Sequence, residues 1–145
     1  MAHIIVADDD DIWGELVCDA LRGAGHSAGH VTDARGALHA IKARRPDVAV
    51  LDCSMPEMSG VLLLQELRKS PHLFDLPVLM LTGRRNEQDV QLAYFAGCND
   101  YLKKPCDPEE VVYRVARLLE KFPPAAPVSA LPSRVAGFGR RQPGR

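Results

Sequence analysis

Apolar positions along the chain fall into two alternating rhythms. Short apolar runs stand at Ile4–Ala7, Val48–Leu51 and Val78–Leu81, with a weaker run at Ser27–Val31 and a brief one at Tyr101–Leu102. All are too short for helices, and three are continuously apolar, as strands covered on both faces are. Between them the spacing turns helical. Ile12, Leu16, Val17, Ala20 and Leu21 form a stripe that stops at Gly23 and Gly25, and Ala34–Ala43 repeats it with Leu38 and Ile41 before Pro46. Ser59 is a good N-cap for the run Val61–Leu67, which ends before Pro71. Asn86 or Asp89 is expected to open a segment through Phe95, closed by Gly97, and Pro108, followed by Glu109 and Glu110, opens a last helix through Lys121.

Strand and helix thus alternate five times. That rhythm predicts an α/β fold with a parallel sheet, helices on both faces and right-handed crossovers. Ligands in such sheets sit beyond the carboxyl ends of the strands. Four polar groups gather there. Asp8-Asp9-Asp10-Asp11 follows the first strand, Asp52 the third, Thr82 the fourth and Lys104 the fifth. Singly, each has a structural explanation: the aspartates as cap and dipole partners of a helix, the threonine as a turn residue, the lysine as a solvated charge. Their shared edge favours chemistry. Crowded carboxylates repel unless a cation or proton intervenes, and an oxygen-ligand site with room for water and a phosphoryl group suits Mg²⁺. Asp52 then fits as nucleophile, Asp8 and Asp9 as metal ligands, and Lys104 and Thr82 as phosphoryl contacts.

Composition narrows the field. At 145 residues, 46% hydrophobic and 26% charged, the chain has about one domain's worth of ordinary globular sequence. No run approaches the ~18–20 apolar residues of a membrane span, and Met1-Ala2-His3 leads straight into an apolar run, so neither a membrane segment nor a secretory signal is expected. Cys18, Cys53, Cys98 and Cys106 show no ligand spacing with each other or with the histidines, and are expected to be reduced thiols of a cytoplasmic protein. Residues 1–121 carry 14 basic and 19 acidic groups, net −5, whereas the segment from Phe122 onward has four arginines and no acid. An acidic globule of this kind is expected not to bind DNA directly. Residues 122–145, rich in proline and glycine, are expected to be a disordered or polyproline-like tail or linker behind a domain of residues 1–121.

Over about residues 3–121 the sequence resembles the receiver (response regulator) domain of two-component signalling. The matching pieces are Ile4-Ile5-Val6-Ala7-Asp8-Asp9-Asp10, Pro46 through Asp52 to Met55-Pro56 and Gly60, Pro77 through Thr82-Gly83, and Ala96-Gly97 through Asp100-Tyr101 to Lys104-Pro105. The resemblance implies a flavodoxin-like (βα)5 three-layer sandwich with strand order 2-1-3-4-5. It implies that Asp52 accepts a phosphoryl group from a sensor histidine kinase or histidine phosphotransfer protein, with Mg²⁺ held by Asp8, Asp9, Asp52 and the backbone carbonyl of Ser54. Thr82 and Tyr101 would form a switch acting on the surface of the fourth helix, fifth strand and fifth helix, over about residues 86–121. That surface would bind a downstream protein target or a second copy of the chain. A cis peptide before Pro105 is common in the family. The protein is expected to be a signalling domain rather than an enzyme, either alone or as the N-terminal part of a longer regulator.

Departures from the family pattern are few. Ser59 stands where Asp is more frequent, and Gly83 where Ala is commoner, which is expected to open the phosphoryl pocket. Ser54 and Arg84 occupy positions that tune phosphoryl lifetime in the family; Arg84 is expected either to be a solvated loop arginine or to fold over the site, shielding the phosphoryl group or pairing with Glu57. Two enzymes of similar fold fit less well. A flavodoxin needs a neutral phosphate loop where this chain has four aspartates, and a haloacid-dehalogenase-type phosphatase needs a second Asp where Ser54 stands.

Overall fold

The computed structural model describes residues 1–83 and 87–124, the last including 87–89 as backbone only. Strands β1 (His3–Ala7), β2 (Ser27–Val31), β3 (Val48–Asp52), β4 (Val78–Thr82) and β5 (Asp100–Lys103) alternate with helices α1 (Asp11–Gly23), α2 (Ala34–Ala43), α3 (Gly60–Lys69), α4 (Glu87–Ala96) and α5 (Pro108–Lys121). All strands pair in parallel, in the order β2-β1-β3-β4-β5. This is the flavodoxin-like arrangement expected of the sequence.

The continuous apolar runs are explained by the layers. Side chains alternate across a strand, so β1, β3 and β4 each feed two cores. Ile5, Ala7, Ala49, Leu51, Val78 and Met80 pack with residues of α2, α3 and α4, including Ile41, Leu63, Leu64, Leu67 and Ala93. Ile4, Val6, Val48, Val50, Leu79 and Leu81 pack with Val17, Cys18 and Leu21 of α1 and Val111, Val115 and Leu118 of α5. β3 and β4 are buried at every position, whereas the edge strand β2 is half-exposed throughout. Exposure on that edge is why its sequence, Ser-Ala-Gly-His-Val, carried only a weak strand pattern.

Helix boundaries follow local chemistry. The side chains of Asp10, Asp33 and Ser59 accept from Trp13 N, Gly36 N and Leu62 N, each satisfying an otherwise orphaned first-turn donor. Gly97 closes α4 with φ +106°, a conformation that glycine adopts without a Cβ penalty. The helix begins at Glu87, ahead of Asp89; the other candidate opener, Asn86, lies outside the described residues.

Candidate functional site

The parallel registers pair Ala7 with Leu51, Asp52 with Leu81 and Thr82 with Lys103, which brings the strand ends abreast. Asp8 directly follows β1, Asp52 ends β3, Thr82 ends β4 and Lys104 directly follows β5. Among the described residues, the polar or charged ones that are buried are Asp8, Asp52 and Thr82, at 0%, 4% and 2% exposure, and all three stand at this one edge. Buried carboxylates are costly unless paired, so their concentration here is a departure from packing logic.

Among the described residues, one cation answers them. Lys104 Nζ lies 2.8 Å from Asp8 Oδ2 and 3.8 Å from Asp52 Oδ2, and 4.8 Å from the centre of the Trp13 ring. Asp8 Oδ1 accepts from the backbone N–H of Asp10 at 2.9 Å, and Asp52 Oδ1 from that of Ser54 at 3.3 Å. Among the described residues of the site, one lysine faces three carboxylates. Burial first, and then the Asp8 carboxylate, push the Asp52 carboxyl up to about 7, although Lys104 and the Ser54 N–H work against the rise. Burial likewise opposes the charge on Lys104, but the hydrogen bond to Asp8 and the fields of Asp52 and Asp8 outweigh it, so its pKa lies above the usual lysine value.

The donor set fits a hard cation. Asp8, Asp9 and Asp52 each present a carboxylate oxygen, all within 4.8 Å of one another, with Asp9 exposed to solvent. All-oxygen ligation with an open side is the arrangement that Mg²⁺ favours. Asp9, Asp52, Ser54, Gly83 and Lys104 line an open concavity of about 340 Å³, large enough for a phosphoryl group beside Asp52. Among the described residues, nothing lies within 4 Å of where a Cβ on Gly83 would stand.

The loop after β3 is held from behind. A Cβ on Gly60 would come 2.1 Å from the backbone oxygen of Asp52, so α3 can start this close to the strand end only with glycine. The Gly60 N–H donates to Cys53 O at 3.0 Å, and Glu57 takes φ +70° in the turn between. The Lys104–Pro105 peptide is cis, and Lys104 N donates to Thr82 O at 2.7 Å, tying the ends of β4 and β5 together.

Asp8, Asp9, Asp52, Ser54 and Lys104 therefore come together, with Thr82 at the end of the adjoining strand. Tyr101 stands apart from them, half-buried on β5 and edge-on to Tyr94 of α4, with ring centres 5.5 Å apart at 89°. Arg84 lies outside the described residues, and the carboxylate of Glu57 stands 3.7 Å from Arg35. Trp13 and Tyr94 were not among the expected site residues. Helical spacing alone marks them as ordinary face residues; the ring of Trp13 meets Lys104, far away in sequence, and that of Tyr94 meets Tyr101 of the next element.

A five-stranded parallel sheet with an acidic, lysine-edged pocket at its carboxyl end defines the receiver class of signalling domain. The model of the response regulator receiver domain matches residues 4–116, and the chain belongs to that family. It is 34% identical over 131 residues to the transcriptional regulatory protein CseB of Streptomyces avermitilis, covering 90% of this chain and 54% of that one. It is 39% identical over 118 residues to the probable transcriptional regulatory protein TcrX of Mycobacterium tuberculosis, covering 81% and 50%. The chain thus spans about half the length of the curated relatives it matches. Among solved structures, chemotaxis response regulator CheY4 of Vibrio cholerae superposes with a TM-score of 0.78 at 29% identity, over 82% of this chain and 99% of that one. The receiver domain of a Francisella response regulator gives 0.77 at 29% identity, over 83% and 98%.

Membership in this family places the chain among the receiver domains of response regulators. Other relatives include DNA-binding response regulators named MtrA, so the expectation of no direct DNA contact finds no support in these likenesses. None of the described helices is long and apolar enough to cross a membrane.

Proposed function

We propose that this chain is a phosphorylation-switched receiver in which Asp52 takes a phosphoryl group from a sensor histidine kinase or a histidine phosphotransfer protein. The observation that carries the reading is the buried Asp8–Asp52 pair, joined by Asp9 and answered, among the described residues, by Lys104. An Asp52 carboxylate oxygen attacks phosphorus, the N–P bond of the phosphohistidine breaks, and its electron pair stays on the departing imidazole nitrogen. Asp8, Asp9, Asp52 and the Ser54 backbone carbonyl would hold Mg²⁺, which supplies charge neutralisation on the phosphoryl oxygens when bound. Lys104, already suspended between Asp8 and Asp52, is placed to contact a phosphoryl oxygen as charge grows there. Thr82 at the end of β4 would give a hydroxyl to the same group.

The output follows from the far side of β4. Drawing Thr82 toward the phosphoryl group frees space that Tyr101 enters, and its edge contact with Tyr94 passes the change to α4. The phosphoryl group moves this equilibrium only as far as it binds one arrangement better than the other. Leu92 and Phe95 of α4 and Tyr113 of α5 are exposed at 53%, 89% and 61%, an apolar face suited to a downstream protein or to a second copy of the chain. Residues 1–121 form the receiver and 122–145 its tail or linker, and the chain acts in the cytoplasm, alone or as the front of a longer regulator.

Phosphotransfer tests this. Incubation with a panel of phosphorylated histidine kinases and phosphotransfer proteins is expected to label the wild type in Mg²⁺, and to label neither the Asp52→Ala variant nor the wild type in EDTA. Failure with every donor in Mg²⁺ would point to a docking domain that keeps the fold without the phosphorylation.

A further inference from the structure

Asp8 is gripped by its backbone as well as by its side chain. Its N–H donates to Val31 O at 3.0 Å, and its carbonyl oxygen lies 2.8 Å from Nε2 of His30. A carbonyl oxygen only accepts, so Nε2 carries the proton in this contact. The imidazole is 4% exposed, with Nδ1 3.5 Å from a carboxylate oxygen of Glu15. Room for the ring is made by Gly14, buried in the first turn of α1, where an added Cβ would stand 2.2 Å from Nε2 and 2.4 Å from Cε1. Glycine is a poorer helix former than alanine, by up to about 1 kcal/mol, and here its presence is explained by the imidazole it admits.

We infer that His30 is a positioning residue for the cation site: seated against Gly14, it clamps the Asp8 peptide to β2 and so sets the angle at which the Asp8 carboxylate meets Asp9 and Asp52. The inference rests on the reading of those carboxylates as the Mg²⁺ site. Partners that orient a metal ligand are worth roughly tenfold or more in metal affinity.

Packing and positioning are separable by substitution. His30→Ala leaves a void that Gly14→Ala partly fills while improving the helix, so the double variant recovers thermal stability without recovering the hydrogen bond. Titration with Mg²⁺ alone, followed by fluorescence of the single tryptophan Trp13 beside Lys104, gives the midpoint for each protein. The midpoint is expected to rise about tenfold in Gly14→Ala/His30→Ala, and to stay near wild type in His30→Gln, whose amide nitrogen can take the place of Nε2. A wild-type midpoint in the double variant, or a loss that His30→Gln does not rescue, overturns the inference. A wild type that shows no Mg²⁺ response at all overturns the reading of the site, and the clamp with it.

Discussion

The two ends of the sheet handle buried charge in opposite ways. At the amino end, half-buried Arg68 of α3 spends its guanidinium on Gly97 O at 2.7 and 3.0 Å, Leu76 O at 2.8 Å, Leu73 O at 3.3 Å and Asn99 Oδ1 at 3.1 Å. Asn99 Oδ1 also accepts from Val78 N at 2.8 Å, and Asp47 Oδ2 from His3 N at 2.7 Å. Donors there meet acceptors, and the result fastens the α3–β4 and α4–β5 loops. At the carboxyl end, among the described residues, three carboxylates meet one lysine, and Asp52 is pushed up to about 7. The amino end is complete as it stands. At the carboxyl end the described residues leave more carboxylate than cation, an imbalance in keeping with the proposed cation site.

Substitutions at the two ends should therefore fail differently. The largest effect belongs to Asp52→Asn, which keeps the shape and removes the nucleophile: phosphoryl transfer is expected to vanish while the fold persists, read by mass and circular dichroism. The same variant has a pH signature. Folding raises the Asp52 carboxyl from 3.8 to about 7, so it favours the protonated form; that contribution is full below 3.8 and is lost as pH rises through about 7. In EDTA, the thermal midpoint of the wild type is expected to fall relative to Asp52→Asn across that window. Parallel curves would mean that the carboxyl is not destabilised by its surroundings.

Next in size is Gly60→Ala, whose Cβ collides with the Asp52 carbonyl; a loss of about 3 kcal/mol in denaturant unfolding is expected, at the upper end for overpacking. Arg68→Met should cost about 2 kcal/mol by leaving carbonyls without donors, yet leave the Mg²⁺ midpoint and phosphorylation unchanged. That pairing of outcomes is the sharpest test of the contrast, because loss of chemistry from the amino end would erase it. Smallest is Trp13→Leu, expected to cost about 0.5–1 kcal/mol through the ring contact with Lys104, with a modest slowing of phosphorylation.

The fold was largely legible because both of its periodicities are local. Continuous apolar runs marked β1, β3 and β4, and caps such as Ser59 marked helix starts. The acids were legible by position, since a residue that ends a parallel strand lies at the ligand edge wherever the sheet goes. What escaped were contacts between distant segments. Gly14 and His30 look like a poor helix residue and an edge-strand residue until α1 is laid against β2, and Arg68 reads as one more last-turn cation until the α4–β5 loop closes over it. Neither carries a period, and each depends on the tertiary arrangement alone.

The most direct test of the central claim is the intact mass of the protein after incubation with acetyl phosphate, in Mg²⁺ and in EDTA, for wild type and Asp52→Asn. One phosphoryl adduct is expected, on the wild type and only with Mg²⁺. An adduct that persists in Asp52→Asn, or that forms equally well in EDTA, would contradict the account.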